Sequence, residues 1–360
     1  MPFREEALLS YLEGLFGAPV EIRSIRPLAA DKKGASLKRF GYGMPLGVAF
    51  SHPAGEETAV LHTMAPDAFS HERPSDRACN LLLDYATFNR LPRHVDALDV
   101  GALTGDGSLI SLGETNEFFL LTRFSPGDPY ADDLHRMART FEASDLDRAR
   151  VETLADYLAG IHEDKSDDAV RYHRRIRDLL GHGEGIMGML DTYPADFAQA
   201  PPERLARIEE ACVRWRWRIK ESSHRLSCVH GDFHPWNVLF REGTDFSVLD
   251  RSRGEWGEPA DDVTCMSINF LFFSLWKRGR LEDPFRDLYL RFWKRYLDRT
   301  GDKEILERNQ PFHAWRALVL AHPVWYPDLP EGVRETLFRF IDNVLDAERF
   351  EPDGIEEFLA

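Results

Sequence analysis

Cysteine is scarce: four occur in 360 residues, at Cys79, Cys212, Cys228 and Cys265. No two form a C-x-x-C pair, so neither a disulfide framework nor a zinc ribbon is signalled. Long apolar runs are missing too. The richest, MSINFLFFSLW, is about half of the ~20 residues that a membrane-spanning helix requires. The N-terminal MPFREEALLSYLEGLFG interrupts its apolar residues with Arg4, Glu5, Glu6 and Glu13, a helix pattern and not the unbroken core of a signal peptide. These absences predict reduced thiols, a cytoplasmic location and no membrane partner. There is also no internal repeat and no low-complexity linker.

Positive charge is in short supply. Lys and Arg number 45 against 61 Asp and Glu, a formal charge of −16, which repels a nucleic-acid backbone and attracts a cationic small molecule. Solubility alone explains the same balance. With 43% hydrophobic and 29% charged residues, the composition excludes a disordered or fibrous chain. The length suffices for two lobes without structural metal. Nothing in the sequence signals an oligomeric state.

The first third reads as strands. VEIRSIRPLA alternates, GVAF and TAVLHTM continue in that style, CNLLLDYATFNRL has helical spacing, and LDVGAL, the turn TGDGS and EFFLLTRF suggest further strands closing a small antiparallel sheet. From SPGDPY onward the pattern turns helical, as in DLDRARVETLADYLAGIHED and PERLARIEEACVRWRWRIKESSHRL. In VRWRWRIK, Trp215 and Ile219 share one helix face and Arg214 and Arg218 another. That reads as a covering helix and not as a nucleic-acid stacking platform. The domain expectation is a strand-rich lobe over residues 1–124 and a helical lobe over 125–360, joined near Phe124 to Gly127.

The short strands CVH, NVLF and FSVLD interrupt the helical part. NVLF and FSVLD flank REGTD and make an antiparallel hairpin. Pairing Phe240 with Ser247 would set Asn237 opposite Asp250, beside Asp232 on the preceding loop. Two carboxylates and an amide oxygen form a hard-oxygen site of the kind Mg²⁺ prefers, which leaves Asp232 free to act on a hydroxyl. His230, Asp232 and Asn237 also fit H-x-D-x-x-x-x-N, the spacing of a kinase catalytic loop, and Asp250 follows at the metal-binding position. A rival reading takes His230, Asp232 and His234 as a transition-metal cluster of a hydrolase, but gives Asn237 and Asp250 no role.

HGDFHPWNVLF followed by VLDRSRGEWGEPADDV closely resembles the catalytic segment of the aminoglycoside phosphotransferase and choline kinase superfamily, whose fold is that of the protein kinases. The resemblance is strongest from Cys228 to Val263. It implies an α+β, two-lobed kinase-like fold with a small antiparallel-sheet N-lobe and a large, mostly helical C-lobe. It further implies transfer of the ATP γ-phosphoryl group to a hydroxyl of a small molecule, with aminoglycoside-, choline- and amino-alcohol-like acceptors in view. By this resemblance Asp232 is the catalytic base, His230 braces its loop, and Asn237 and Asp250 hold Mg²⁺. Asp262 anchors the loop, and His234 and Pro235 shape it.

On the nucleotide side the resemblance places the phosphate turn in ADKKGASLKRFGYG, with Gly34 allowing close approach and Ser36 donating to phosphate. Relatives carry a lysine or arginine where this chain has His62, paired with a helix carboxylate whose counterpart is Asp84. Lys33 or Lys38 could supply the missing charge. Thr122 to Phe124 would meet the adenine edge. His62 leaves open a nucleotide-binding pseudokinase, and a protein kinase is a further alternative. Arg251 is a second departure, since relatives often carry an aromatic residue there. Glu255, Glu258 and Asp261 could meet a cationic acceptor, or serve as surface and caps. The tryptophans Trp256, Trp276, Trp293, Trp315 and Trp325 could include an aromatic cage, or pack between helices.

Overall fold

The structure, a computed structural model, describes residues 3–28, 43 and 45–360. The chain divides into two compact units, Met1–Thr122 and Arg123–Ala360.

In the first unit, helix α1 (Glu5–Phe16) ends where Gly17 turns left-handed at φ 60°, the conformation that closes many helices. Strands β1 (Glu21–Pro27), β2 (Leu46–His52) and β3 (Gly55–Leu61) form an antiparallel sheet in that order. Leu8 and Leu12 of α1 share a small core with Val48 and Phe50 of central β2. Helix α2 (Pro74–Phe88) buries no residue fully. Strands β4 (Gly101–Leu103) and β5 (Leu109–Ser111) pair only with each other among the described residues, across the expected TGDGS turn.

The strand expected over EFFLLTRF is not formed. These residues carry no ladder, and Phe119 and Leu120 are 92% and 88% exposed. Apolar alternation marks a segment fit for a sheet, but a strand forms only where a neighbour accepts its backbone bonds. Among the described residues, neither sheet of this unit provides that neighbour.

The second unit begins with β6 (Asp128–Pro129) and α3 (Tyr130–Thr140), α4 (Asp145–His162), α5 (Ala169–Gly181), α6 (Ile186–Asp191) and α7 (Pro202–Ile219). Ser144 caps α4 and exchanges hydrogen bonds with Asp147, satisfying orphan N–H groups at the helix start. On α7, Trp215 and Ile219 are buried and Trp217 is exposed, so the Arg/Trp run is a covering helix. The interruption follows: β7 (Ser227–Cys228), β8 (Val238–Phe240), β9 (Phe246–Val248) and β10 (Trp256–Gly257). Helices α8 (Pro259–Arg278), α9 (Phe285–Thr300), α10 (Gln310–Ala321), α11 (Glu331–Asp346) and α12 (Ile355–Leu359) complete the chain.

Helix α8 is buried on all sides from Pro259 to Leu275, which is why its sequence is apolar without an amphipathic period. It forms the centre of a core shared with Phe292 and Trp293 of α9 and Phe338 and Ile341 of α11. Among the described residues, no helix is long and apolar enough to cross a membrane.

Candidate active site

The loop 229–237 is suspended between two short ladders. At its start β7 pairs antiparallel with β10, Cys228 opposite Trp256. At its end β8 lies between β6 and β9. The β8–β9 register is Leu239 opposite Ser247, not Phe240 opposite Ser247. Asn237 therefore faces Leu249, whose N–H its carbonyl accepts at 2.8 Å, and Asp250 is the next residue along. The slip originates in the turn: Arg241 N–H bonds to Asp245 O at 2.8 Å, closing a loop whose length alternation alone does not specify. Arg150 of α4 grips the turn, donating to Arg241 O and Gly243 O at 2.9 Å each.

Asp262, in the first turn of α8, holds the head of the loop. Its carboxylate accepts the backbone N–H groups of His230 and Gly231, each at 2.7 Å, and lies 3.2 Å from His162 Nε2. Burial would raise this carboxyl, but the His162 contact and the two N–H donors hold it below the usual range, aided by the positive end of the helix. Gly231 sits at φ 89°, and a Cβ there would lie 3.1 Å from Arg175 Nη2, so both conformation and space require glycine.

His230 is buried, and its Nδ1 accepts the Asp232 N–H at 3.3 Å, a bracing position. His234 Nδ1 accepts from Trp236 N–H, which puts the ring proton on Nε2, 3.6 Å from Asp232 Oδ2. Burial pushes His234 down to about 4, so the ring is neutral near pH 7. Among the described residues no group of three or more His, Cys, Asp and Glu side chains could hold a metal ion, which removes the basis for the transition-metal reading.

Asn237 Nδ2 donates to Asp232 O at 3.0 Å, which turns the amide oxygen to the other side. Asp250 is exposed and left-handed at φ 54°. An amide oxygen and a carboxylate one residue off register are hard donors, few in number. That set fits Mg²⁺, which takes one or two protein oxygens and leaves the rest to phosphate and water.

Asp232 is clamped. Its Oδ1 lies 2.5 Å from Arg253 Nη1 and 2.7 Å from Arg316 Nη1. Arg316 Nη2 also reaches Asp261 Oδ1 at 2.7 Å and Gly231 O at 3.2 Å. Burial would raise the Asp232 carboxyl, but the two guanidinium charges outweigh it and hold it well below the carboxylate range. Arg175 of α5 completes the cluster, 2.5 Å from Asp261 Oδ2 and donating to Arg253 O at 2.9 Å. Sequence reasoning missed these arginines. The signal was present for Arg316, a lone charge inside the apolar PFHAWRALVL, because a buried charge must find partners.

Other expectations change. Glu258 is fully buried, bound by Arg225 at 2.7 Å and capping α8 at Ala260 N–H. Asp261 is taken by Arg175 and Arg316, and Glu255 accepts from Trp256 Nε1. Glu258 and Asp261 are thus not left for a cationic acceptor, while Glu255 stays exposed. Arg251 turns onto the start of the loop, donating to Val229 O at 2.8 Å. Among the described residues no two of the five tryptophans stack on each other; Trp315 instead faces Arg253 and Arg316.

In the first unit His62 lies just beyond β3 and Asp84 on α2, both exposed, and no hydrogen bond or ion pair joins them. The expected pairing is not formed, since two exposed polar side chains gain little from one fixed geometry. Thr122 and Phe124 are exposed. Gly34 and Ser36, with Lys33 and Lys38, lie outside the described residues.

A family model described as the phosphotransferase enzyme family matches residues 90–303, more than half of the chain. No curated protein matches. Solved structures similar to this chain include a glucosamine kinase with glucosamine, ADP and inorganic phosphate, 18% identical with a TM-score of 0.40, covering 64% of this chain and 62% of its own. The chain thus spans less than two thirds of that kinase. A Plasmodium vivax ethanolamine kinase is 12% identical with a TM-score of 0.34, over 98% of this chain and 82% of its own. An amicoumacin kinase in complex with AMP-PNP and Ca²⁺ is 12% identical with a TM-score of 0.38, over 98% of each chain.

Proposed function

The chain belongs to the phosphotransferase enzyme family, and we propose that it transfers the γ-phosphoryl group of ATP, with Mg²⁺, to a hydroxyl of a small molecule. The observation that carries this reading is Asp232: a carboxylate on a loop fixed at both ends, with Asn237 and Asp250 supplying hard oxygens directly after it.

Asp232 Oδ1 is occupied by two arginines, so Oδ2 is the oxygen that takes the acceptor O–H. Held far below the ordinary carboxylate range, Asp232 is a poor base toward a neutral alcohol. Its work is to orient the hydroxyl and to receive the proton late, as the new O–P bond forms and the bond to the β-phosphate oxygen breaks. A loose phosphoryl transition state asks for positioning more than for proton abstraction. Asn237 Oδ1 and the Asp250 carboxylate would hold Mg²⁺, which supplies charge neutralisation on the phosphate oxygens. His230 braces the loop. Gly34, Ser36, His62, Asp84, Thr122 and Phe124 are assigned to the nucleotide side.

A second reading, a nucleotide-binding module without transfer, draws on one observation: His62 stands where relatives have a fixed cation, and no ion pair joins it to Asp84. The test is Mg²⁺-dependent ADP release with a panel of hydroxylated metabolites, run beside ATP titration. Transfer by the wild type, lost about 10²–10⁴-fold in Asp232→Asn with ATP binding retained, supports the kinase. ATP binding without transfer on any acceptor favours the module.

A further inference from the structure

The surroundings of Asp232 carry more positive charge than the carboxylate needs. Within the cluster stand three arginines, Arg175, Arg253 and Arg316, against two aspartates, Asp232 and Asp261, an excess of one positive charge. No group in direct contact with the Asp232 carboxylate adds a further negative charge. His234 is neutral, and the Cys265 thiol, 4.0 Å from Asp232 Oδ1, is pushed up by burial. Two further acids lie close by: Asp262 is held by the His230 and Gly231 N–H groups and faces His162, and Glu184 is 63% exposed at the rim.

The two arginines on Asp232 are not equally used. The Nη groups of Arg316 reach three acceptors, Asp232, Asp261 and Gly231 O, and its side chain is 8% exposed, so the two differ at Nη2 and not at Nε, which has no partner among the described residues in either. Arg253 is 18% exposed, and its Nη1 serves Asp232 and Gly231 O. Its Nη2 meets only Glu184 among the described residues, at 3.3 Å, an exposed pairing of little strength. Its Nε is buried and has no hydrogen-bond partner among them. Nη2 is therefore the donor left at the rim, and a guanidinium N–H suits a carboxylate or a phosphate. Trp315 fixes the group, its ring 4.9 Å below Arg253 and its Nε1 tied to Glu184 O at 2.9 Å.

We propose that the acceptor carries an oxyanion substituent, a carboxylate or a phosphate, close to the hydroxyl that is phosphorylated, and that Arg253 receives it through Nη2. This rests on the phosphotransferase reading above. A cationic acceptor is disfavoured at the same place, because it would bring a like charge against Arg253 and Arg316 while Asp232 and Asp261 are already paired with arginines.

The experiment compares matched acceptors with the full-length protein: glycerate and gluconate, glycerol 3-phosphate and glucose 6-phosphate, the neutral glycerol and glucose, and the cationic choline and glucosamine. ADP release is measured with Mg·ATP, and acceptor binding by calorimetry with Mg·ADP present. An oxyanion acceptor that binds and turns over about 10- to 100-fold better than its neutral match is the expected result, and the two anionic series tell carboxylate from phosphate. Arg253→Gln should lose that preference with an unchanged KM for ATP, and Arg253→Lys should recover part of it. Preference for neutral or cationic acceptors overturns the inference and leaves phosphotransfer standing. So does Mg·ADP binding with no oxyanion acceptor bound. A rise in the KM for ATP in Arg253→Gln, with acceptor preference intact, assigns the arginine to the nucleotide and also overturns it. Failure to bind ATP or ADP at all removes both readings.

Discussion

Asp262 Oδ1 accepts the backbone N–H of Gly231 at 2.7 Å, across 31 residues of chain. With the His230 N–H on its other oxygen, one carboxylate fixes the peptide groups that precede Asp232. Asp262→Ala would leave two buried donors without acceptors, at about 1–3 kcal/mol each. Urea unfolding should show a loss of about 2–5 kcal/mol, whereas Asp262→Asn, which keeps one acceptor, should lose less. Transfer should fall in both while ATP binding holds.

Arg316 joins Asp232 to Asp261. Removing it in Arg316→Met leaves each carboxylate one arginine, Arg253 on Asp232 and Arg175 on Asp261, so the loss should fall below the ~3–5 kcal/mol of breaking a lone buried pair. Denaturant unfolding of Arg316→Met, Asp261→Asn and the double variant checks this. The double variant should be more stable than the sum of the single effects predicts, because the second change removes a charge that the first left with one partner fewer.

His313 of α10 is fully buried among Trp293, Phe340 and Phe350, with neither ring nitrogen hydrogen-bonded to any described residue. Burial pushes it down to about 3 from 6.5. Between those values the unfolded chain binds a proton that the folded chain refuses, so stability falls as pH drops below about 6.5, by up to ~1.4 kcal/mol per unit. Half-buried His234, pushed down to about 4, adds to the same limb. Asp232 and Asp262, both held low, withdraw their share only below about pH 4. Unfolding measured from pH 4.5 to 7 therefore isolates the histidines. His313→Phe should flatten that slope and raise stability at pH 7.

His62 supplies no fixed positive charge. His62→Lys should lower the KM for ATP if this position faces the phosphates, by about the 1.5–3 kcal/mol of a charge-assisted bond. An unchanged KM would move the phosphate contact to another residue.

What the sequence made legible was local. The β7-to-β9 segment and the order His230, Asp232, Asn237, Asp250 depend on alternation, turn residues and spacing within about two dozen positions. Even there the register slipped by one, since the count of turn residues and not the alternation sets it. The arginine clamp was not legible as a cluster. Arg175, Arg253 and Arg316 come from α5, a loop and α10, and only folding sets them beside Asp232. The EFFLLTRF strand failed for the converse reason: its own residues suit a sheet, but pairing is a property of two segments.

Asp250 carries a cost that its position in the fold explains. A non-glycine residue at φ 54° is held in a conformation that L-residues other than Asn and Asp seldom adopt. Glycine would relax the backbone there and bring no oxygen. The hairpin thus ends in a residue chosen against local ease, and selection for thermal stability alone would drive this position toward glycine and away from any use as a metal ligand.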